Sequence, residues 1–125
     1  MTVSDIDCLA GRRIAIVEDD ALVSEFIQDV LEEYGATVVG VAETVSQALA
    51  LIEEQELDAV TLDGNLVGEL SSSVARRLAQ REIPFLVVTG YVDLASADPA
   101  LGAAPLLSKP FTPASLASAI VAHLC

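Results

Sequence analysis

The chain has 125 residues, enough for one hydrophobic core and too few for two. Hydrophobic residues make up 53%, which excludes a disordered chain, and 19 acidic against 6 basic residues leave a formal charge of −13. That charge excludes nucleic acid and anionic membrane as direct partners, because a phosphate surface repels it. Residues 1–7 are acidic without the apolar centre of a signal peptide, and no apolar run is long enough to span a bilayer, so a cytoplasmic protein is expected. Cys8 and Cys125 have no metal-type spacing and read as free thiols in a reducing compartment.

In chain order, residues 1–11 read as a lead-in and 12–125 as one domain. Residues 12–17 include the apolar run Ile14, Ala15, Ile16, Val17, which predicts a buried parallel strand. Three carboxylates follow: Glu18, Asp19 and Asp20. At about 5 Å and an effective dielectric near 20, each such pair costs roughly 3 kcal/mol before solvent relaxes. A cation among them relieves the repulsion, and hard carboxylate oxygens favour Mg²⁺, Mn²⁺ or Ca²⁺. Taken alone, the triplet fits equally well a helix cap with solvated neighbours.

Asp20 is placed to cap a helix over 21–34, where Leu22, Val23, Phe26, Ile27, Val30, Leu31 and Tyr34 follow helical spacing and Gly35 supplies the stop. A second strand is expected at 37–41. Thr44 with Gln47 forms a capping-box signature for a helix to about residue 55. The third strand, 59–62, ends at Asp63. A loop over 64–68 leads to a helix near 71–80, and 85–89 reads as the fourth strand. Residues 91–104 suit at most a short fourth helix, since Asp98-Pro99 opens it and Gly102 and Pro105 bound it. Residues 106–108 form the fifth strand, and Thr112-Pro113 opens a last helix. The X-Pro bond at Lys109-Pro110 is one of the few that can be cis.

Alternating strands and helices predict a flavodoxin-like doubly wound (βα)5 domain, with a five-stranded parallel sheet in the order 2-1-3-4-5 and a short or irregular fourth helix. Ligands of such sheets gather beyond the carboxyl ends of the strands. Glu18, Asp19, Asp20, Asp63, Thr89 and Lys109 all fall there. Asp63 is the candidate nucleophile, since a carboxylate accepts a phosphoryl group as an aspartyl phosphate. In-line transfer then asks mainly for positioning and neutralised charge. Mg²⁺ held by Glu18, Asp19 and Asp63, with the Asn65 backbone carbonyl as a further oxygen, fits that need. Lys109, the sole lysine, suits a second phosphoryl oxygen, and the Thr89 hydroxyl a third. Asp63 before Gly64 also fits a simple turn. His123 near the end of the last helix reads as a dipole partner; Arg76, Arg77 and Arg81 as a solvated face; and Glu53, Glu54, Glu56 and Asp58 as solubilising charge.

At these residues the chain resembles the receiver domain of two-component response regulators. The resemblance rests on Ile16-Val17-Glu18-Asp19-Asp20, Val60-Thr61-Leu62-Asp63, Val87-Val88-Thr89-Gly90 and Ser108-Lys109-Pro110-Phe111. It implies metal binding at Glu18 and Asp19, phosphorylation at Asp63, and readout by Thr89 and Lys109. It also implies a histidine kinase or phosphotransfer protein as donor. Two positions depart from the usual pattern: Val67 stands where a proline is common, and Leu106 where a switch aromatic is common. Pro84, Phe85, Thr89, Gly90 and Tyr91 are similar to the alphaproteobacterial subgroup named for its Phe-Ala-Thr-Gly strand, so Tyr91 is a candidate for the missing aromatic's role.

The expected function is a stand-alone phosphorylation switch that signals through contact with a downstream protein. A phosphate sink for a kinase, and an interaction module that is not phosphorylated, are the alternatives. A phosphatase of the aspartyl-phosphate type needs an acid two residues after its nucleophile, and Asn65 stands there, so no enzyme beyond self-phosphorylation and its reversal is expected.

Overall fold

The computed structural model describes residues 9–66, 69–90 and 105–124. Its first strand, β1 (Arg13–Val17), leads to helix α1 (Ala21–Glu33), strand β2 (Thr37–Ala42), helix α2 (Val45–Glu54) and strand β3 (Ala59–Asp63). A two-stranded hairpin follows, β4 (Asn65–Leu66) with β5 (Glu69–Leu70), then helix α3 (Ser72–Gln80), β6 (Phe85–Thr89), β7 (Leu106–Ser108) and α4 (Pro113–Leu124). The main sheet is parallel in the order β2-β1-β3-β6-β7, the doubly wound order expected from the sequence.

Strand periodicity divides the interior into two cores. Ile14, Ile16, Ala59, Leu86 and Val88 face α1 and α4, where they meet Ile27, Val30, Leu31, Leu116, Ala117 and Ile120. Ala15, Val17, Val60, Leu62 and Val87 face the other way, onto Ala48 and Ile52 of α2 and Val74, Ala75 and Leu78 of α3. Burial on both faces is why the strands read as continuous apolar runs. Leu9 is also buried in the first core, so packing begins ahead of residue 12.

Local chemistry sets the helix ends. The Asp20 carboxylate accepts from the amides of Leu22 (3.0 Å) and Val23 (3.4 Å). At the other end of α1, Gly35 takes φ +89°, its amide donates to Glu32 O and the Ala36 amide to Leu31 O, the bond pair of a left-handed helix stop. Thr44 caps α2 by accepting from the Gln47 amide at 3.1 Å, and the Gln47 side chain accepts from the Glu43 amide at 2.8 Å. Thr112 accepts from the Ser115 amide at 3.1 Å as α4 begins.

Three expectations are corrected. Residues 64–68 are not a plain loop: β4 and β5 pair antiparallel, and buried Leu66 draws that hairpin onto the α2–α3 core. Arg77 and Arg81 are not merely solvated, and Glu53 is not mere solubilising charge. Glu53 accepts from Arg77 at 2.6 Å and lies 3.5 Å from Arg81, because α2 and α3 pack on one sheet face. The Arg77 guanidinium holds the Glu53 carboxyl below its ordinary range, and the Glu53 carboxylate raises Arg77 in turn, though an exposed pair adds little stability. The Lys109-Pro110 bond is cis. Cys8, Cys125, Val67, Tyr91 and the expected short fourth helix lie outside the described residues. Among the described residues, no helix is long and apolar enough to cross a membrane.

Candidate functional site

Strand register decides which side chains meet. Val17 is level with Leu62, and the Glu18 amide donates to Ala42 O at 2.9 Å, so the first carboxylate stands beside Asp63. Asp63 is level with Val88 and Thr89 with Ser108, and the Lys109 amide donates to Thr89 O at 2.8 Å. Four strands therefore deliver Glu18, Asp63, Thr89 and Lys109 to one carboxyl edge of the sheet.

Glu18, Asp63 and Thr89 are buried, and Asp19 is exposed. Lys109 reaches in from the rim: its Nζ lies 2.8 Å from Glu18 Oε1 and 3.4 Å from Asp63 Oδ2. The contact to Glu18 is a charge pair without an aligned hydrogen bond, whereas Nζ donates to Asp63. Glu18 Oε2 accepts from the Asp20 amide at 3.2 Å. Burial pushes the Glu18 carboxyl up to about 7, and neighbouring Asp63 adds to the rise, while Lys109 and the Asp20 amide oppose it. Burial disfavours the Lys109 charge, but pairing with Glu18 and Asp63 outweighs it and raises the ammonium above its ordinary range.

Carboxylate oxygens of Glu18, Asp19 and Asp63 lie within 4.8 Å of one another. Three hard oxygens at this spacing, one of them buried without an aligned donor, suit a hard divalent cation. Asp20, the third acid of the triplet, is spent on the α1 cap instead. The Asn65 main chain lies two residues beyond Asp63, paired with Leu70 in the hairpin. Leu106 lies on β7 level with Val87 and is 42% exposed.

Two features had no distinct signal in the sequence. An open apolar groove of about 440 Å³ adjoins Lys109, lined by Leu22, Val23, Phe26, Pro110 and Phe111. Leu22 is 77% exposed, and the rings of Phe26 and Phe111 stack tilted at 5.6 Å. Leu22 and Phe26 share the helical spacing of α1, but Phe26 packs against the core while Leu22 is left exposed. Ser71 is the other: a serine at a helix start reads as a cap, but its hydroxyl donates to Asp63 O at 2.6 Å.

The fold and site together define a doubly wound α/β domain that carries a cation-type acidic cluster and a lysine at the carboxyl edge of its sheet. Residues 14–121 match the family model of the response regulator receiver domain, and the chain belongs to that family, within two-component signalling. It is similar to the transcriptional regulatory protein PdtaR of Mycobacterium tuberculosis, 32% identical over 120 residues, 94% of this chain and 58% of the relative. The chain spans about half the length of curated relatives such as this one. Among solved structures, SdrG from Sphingomonas melonis Fr1 is 40% identical with TM-score 0.77, covering 98% of each chain. SdrG is also solved in a BeF3-activated conformation, 42% identical with TM-score 0.72 over 90% of this chain and 98% of that one. The response regulator PhyR from Brucella abortus is 29% identical with TM-score 0.82, covering 97% of this chain and 51% of that one.

Proposed function

We propose that residues 12–125 form a receiver that accepts a phosphoryl group on Asp63 and signals through phosphorylation-dependent contact with another protein. The observation that carries the reading is the approach of Lys109 Nζ to both Glu18 and Asp63 at the sheet edge. An Asp63 carboxylate oxygen attacks phosphorus, and the P–O bond forms as the P–N bond to a donor histidine breaks. The electron pair leaves on the imidazole nitrogen, which takes a proton from solvent. Lys109 follows the new charge and pairs with a phosphoryl oxygen, and the Thr89 hydroxyl donates to another. Mg²⁺, with Mn²⁺ as a substitute, held by Glu18, Asp19, Asp63 and the Asn65 carbonyl, supplies counter-charge when bound.

The donor is a histidine kinase or phosphotransfer protein, and the groove with exposed Leu22 beside Lys109 is a suitable place for it to dock. The added charge, roughly −1.5 to −2, shifts the population of conformers around the site. With Leu106 in place of an aromatic, Tyr91, just past Thr89 in sequence, takes part of the switching role. Comparing NMR shifts of Tyr91→Ala and wild type, with and without beryllofluoride, tests that assignment. The site turns over no substrate beyond its own phosphoryl group, and the chain works in the cytoplasm.

Incubation with acetyl phosphate and Mg²⁺, read by intact mass, tests the phosphoacceptor. The expected result is one phosphoryl group gained by the wild type and none by Asp63→Asn. No gain in the wild type, or a gain that survives Asp63→Asn, refutes it.

A further inference from the structure

Ser71 stands where α3 takes its N-terminal cap, yet its side chain accepts no hydrogen bond from the helix. Its hydroxyl donates to the main-chain carbonyl of Asp63 at 2.6 Å, and its amide donates to the carbonyl of Gly64 at 3.1 Å. The residue is fully buried. A short hydrogen bond in that setting is one the chain cannot replace with water.

The two bonds fall at a point of backbone freedom in the site. Gly64 follows Asp63 directly, and a glycine leaves the chain after the reactive residue free to turn. The peptide before Asp63 is held in the sheet, where Asp63 is level with Val88. The bond from the Ser71 hydroxyl holds the peptide after it, so φ and ψ of Asp63 are both set, and with them the direction of its Cα–Cβ bond. The bond from the Ser71 amide holds the next peptide, which leads into Asn65. Pairing of Asn65 with Leu70 closes the hairpin beside Ser71, so its base is fastened at one residue.

We propose that Ser71 is a positioning residue, holding the Asp63 carboxylate and the Asn65 carbonyl in the arrangement that takes the cation and the phosphoryl group. The proposal rests on the reading of Asp63 as phosphoacceptor. A serine that served only the fold would affect stability alone. One that positions the oxygens also changes how tightly they hold a cation, and loss of an outer partner of this kind weakens metal binding by roughly tenfold or more.

The test measures Mn²⁺ affinity of the unphosphorylated protein by electron paramagnetic resonance, and the Mg²⁺ concentration that half-saturates phosphorylation by acetyl phosphate. Urea unfolding reports the fold. For Ser71→Ala we expect cooperative unfolding, Mn²⁺ binding weaker by about tenfold, and a parallel rise in the Mg²⁺ requirement. Ser71→Thr, which keeps the hydroxyl, should recover most of the Mn²⁺ affinity. Wild-type Mn²⁺ affinity in Ser71→Ala overturns the proposal, whatever the change in stability, and so does a folded Ser71→Thr that recovers nothing. If the alanine variant does not fold, Ser71→Cys gives the same comparison, since its thiol is a weak donor. Intermediate affinity then supports the proposal and wild-type affinity overturns it. A wild type that gains no phosphoryl group, while Ser71→Ala still weakens Mn²⁺ binding, would count against Asp63 as acceptor and not against Ser71.

Discussion

Lys109 Nζ stands 2.8 Å from Glu18 Oε1, so a lysine from the end of β7 neutralises a buried carboxylate from the end of β1. The two residues are far apart in sequence and meet only because their strands share a sheet edge. The pair sets the electrostatics of the site, and two predictions concern it directly.

Glu18 makes the metal-free protein sensitive to pH. Its carboxyl is raised from 4.5 in the open chain to about 7 in the fold. A raised carboxyl contributes its full share of stability below about 4.5 and loses it as pH rises towards 7, because the unfolded chain ionises first. The loss is on the order of 3 kcal/mol at most across that window. Urea unfolding in a chelator at several pH values should show stability falling between pH 5 and 7 more steeply in the wild type than in Glu18→Gln. Saturating Mg²⁺ should remove most of the difference, since the cation needs the ionised form. Equal slopes for the two proteins would contradict the assignment.

Lys109→Met should bind Mn²⁺ more tightly and phosphorylate more slowly. Removing the resident ammonium deletes a like charge next to the cation, an interaction of up to about 4 kcal/mol at 4 Å and an effective dielectric of 20 before screening. The same change removes the partner of the incoming phosphoryl oxygen. Calorimetric titration with Mn²⁺ and the rate of mass gain with acetyl phosphate read the two effects separately. Unchanged affinity together with an unchanged rate would dismiss both roles.

Leu22→Ser should leave stability and small-molecule phosphorylation as they are, because the side chain is 77% exposed. It should slow transfer from a protein donor by roughly tenfold if the groove beside Lys109 receives that donor, the size of one interface hot spot. Comparing acetyl phosphate with a phosphorylated histidine donor on the same variant decides it. Equal rates with the protein donor would place docking elsewhere.

Glu82→Gly should stabilise the domain by about 1 kcal/mol, a rise in Tm of about 3–5 °C. Glu82 has φ 56°, and its amide donates to Ala79 O while the Ile83 amide donates to Leu78 O. Gly35 ends α1 with the same pair of bonds, and there glycine fills the left-handed position. Thermal unfolding is the measurement, and a lower Tm would show that the glutamate side chain makes up for the backbone strain.

The strands, helices and caps were legible because their signals are local. Apolar runs, the Asp20 and Thr44 caps and the Gly35 stop depend on neighbours a few residues away, and each was placed within a residue or two. The α2–α3 ion pairs were not, because Arg77 and Glu53 are separated by 24 positions and an exposed charge looks the same in sequence with or without a partner. The exposure of Leu22 was not legible for a related reason: helical spacing marks an apolar face, but only the packing shows which of its residues are covered.

For the site, the sequence by itself determined the order of strands and which acidic, hydroxyl and lysine residues follow them, since strand ends and residue types can be read along the chain. Only the tertiary structure decided how they share the work. The register brings Glu18 rather than Asp20 against Lys109, burial raises the Glu18 carboxyl, and the turn into α3 sets the Ser71 hydroxyl on the Asp63 carbonyl. Each of these depends on distance and desolvation between segments far apart in the chain, which local residue patterns do not encode.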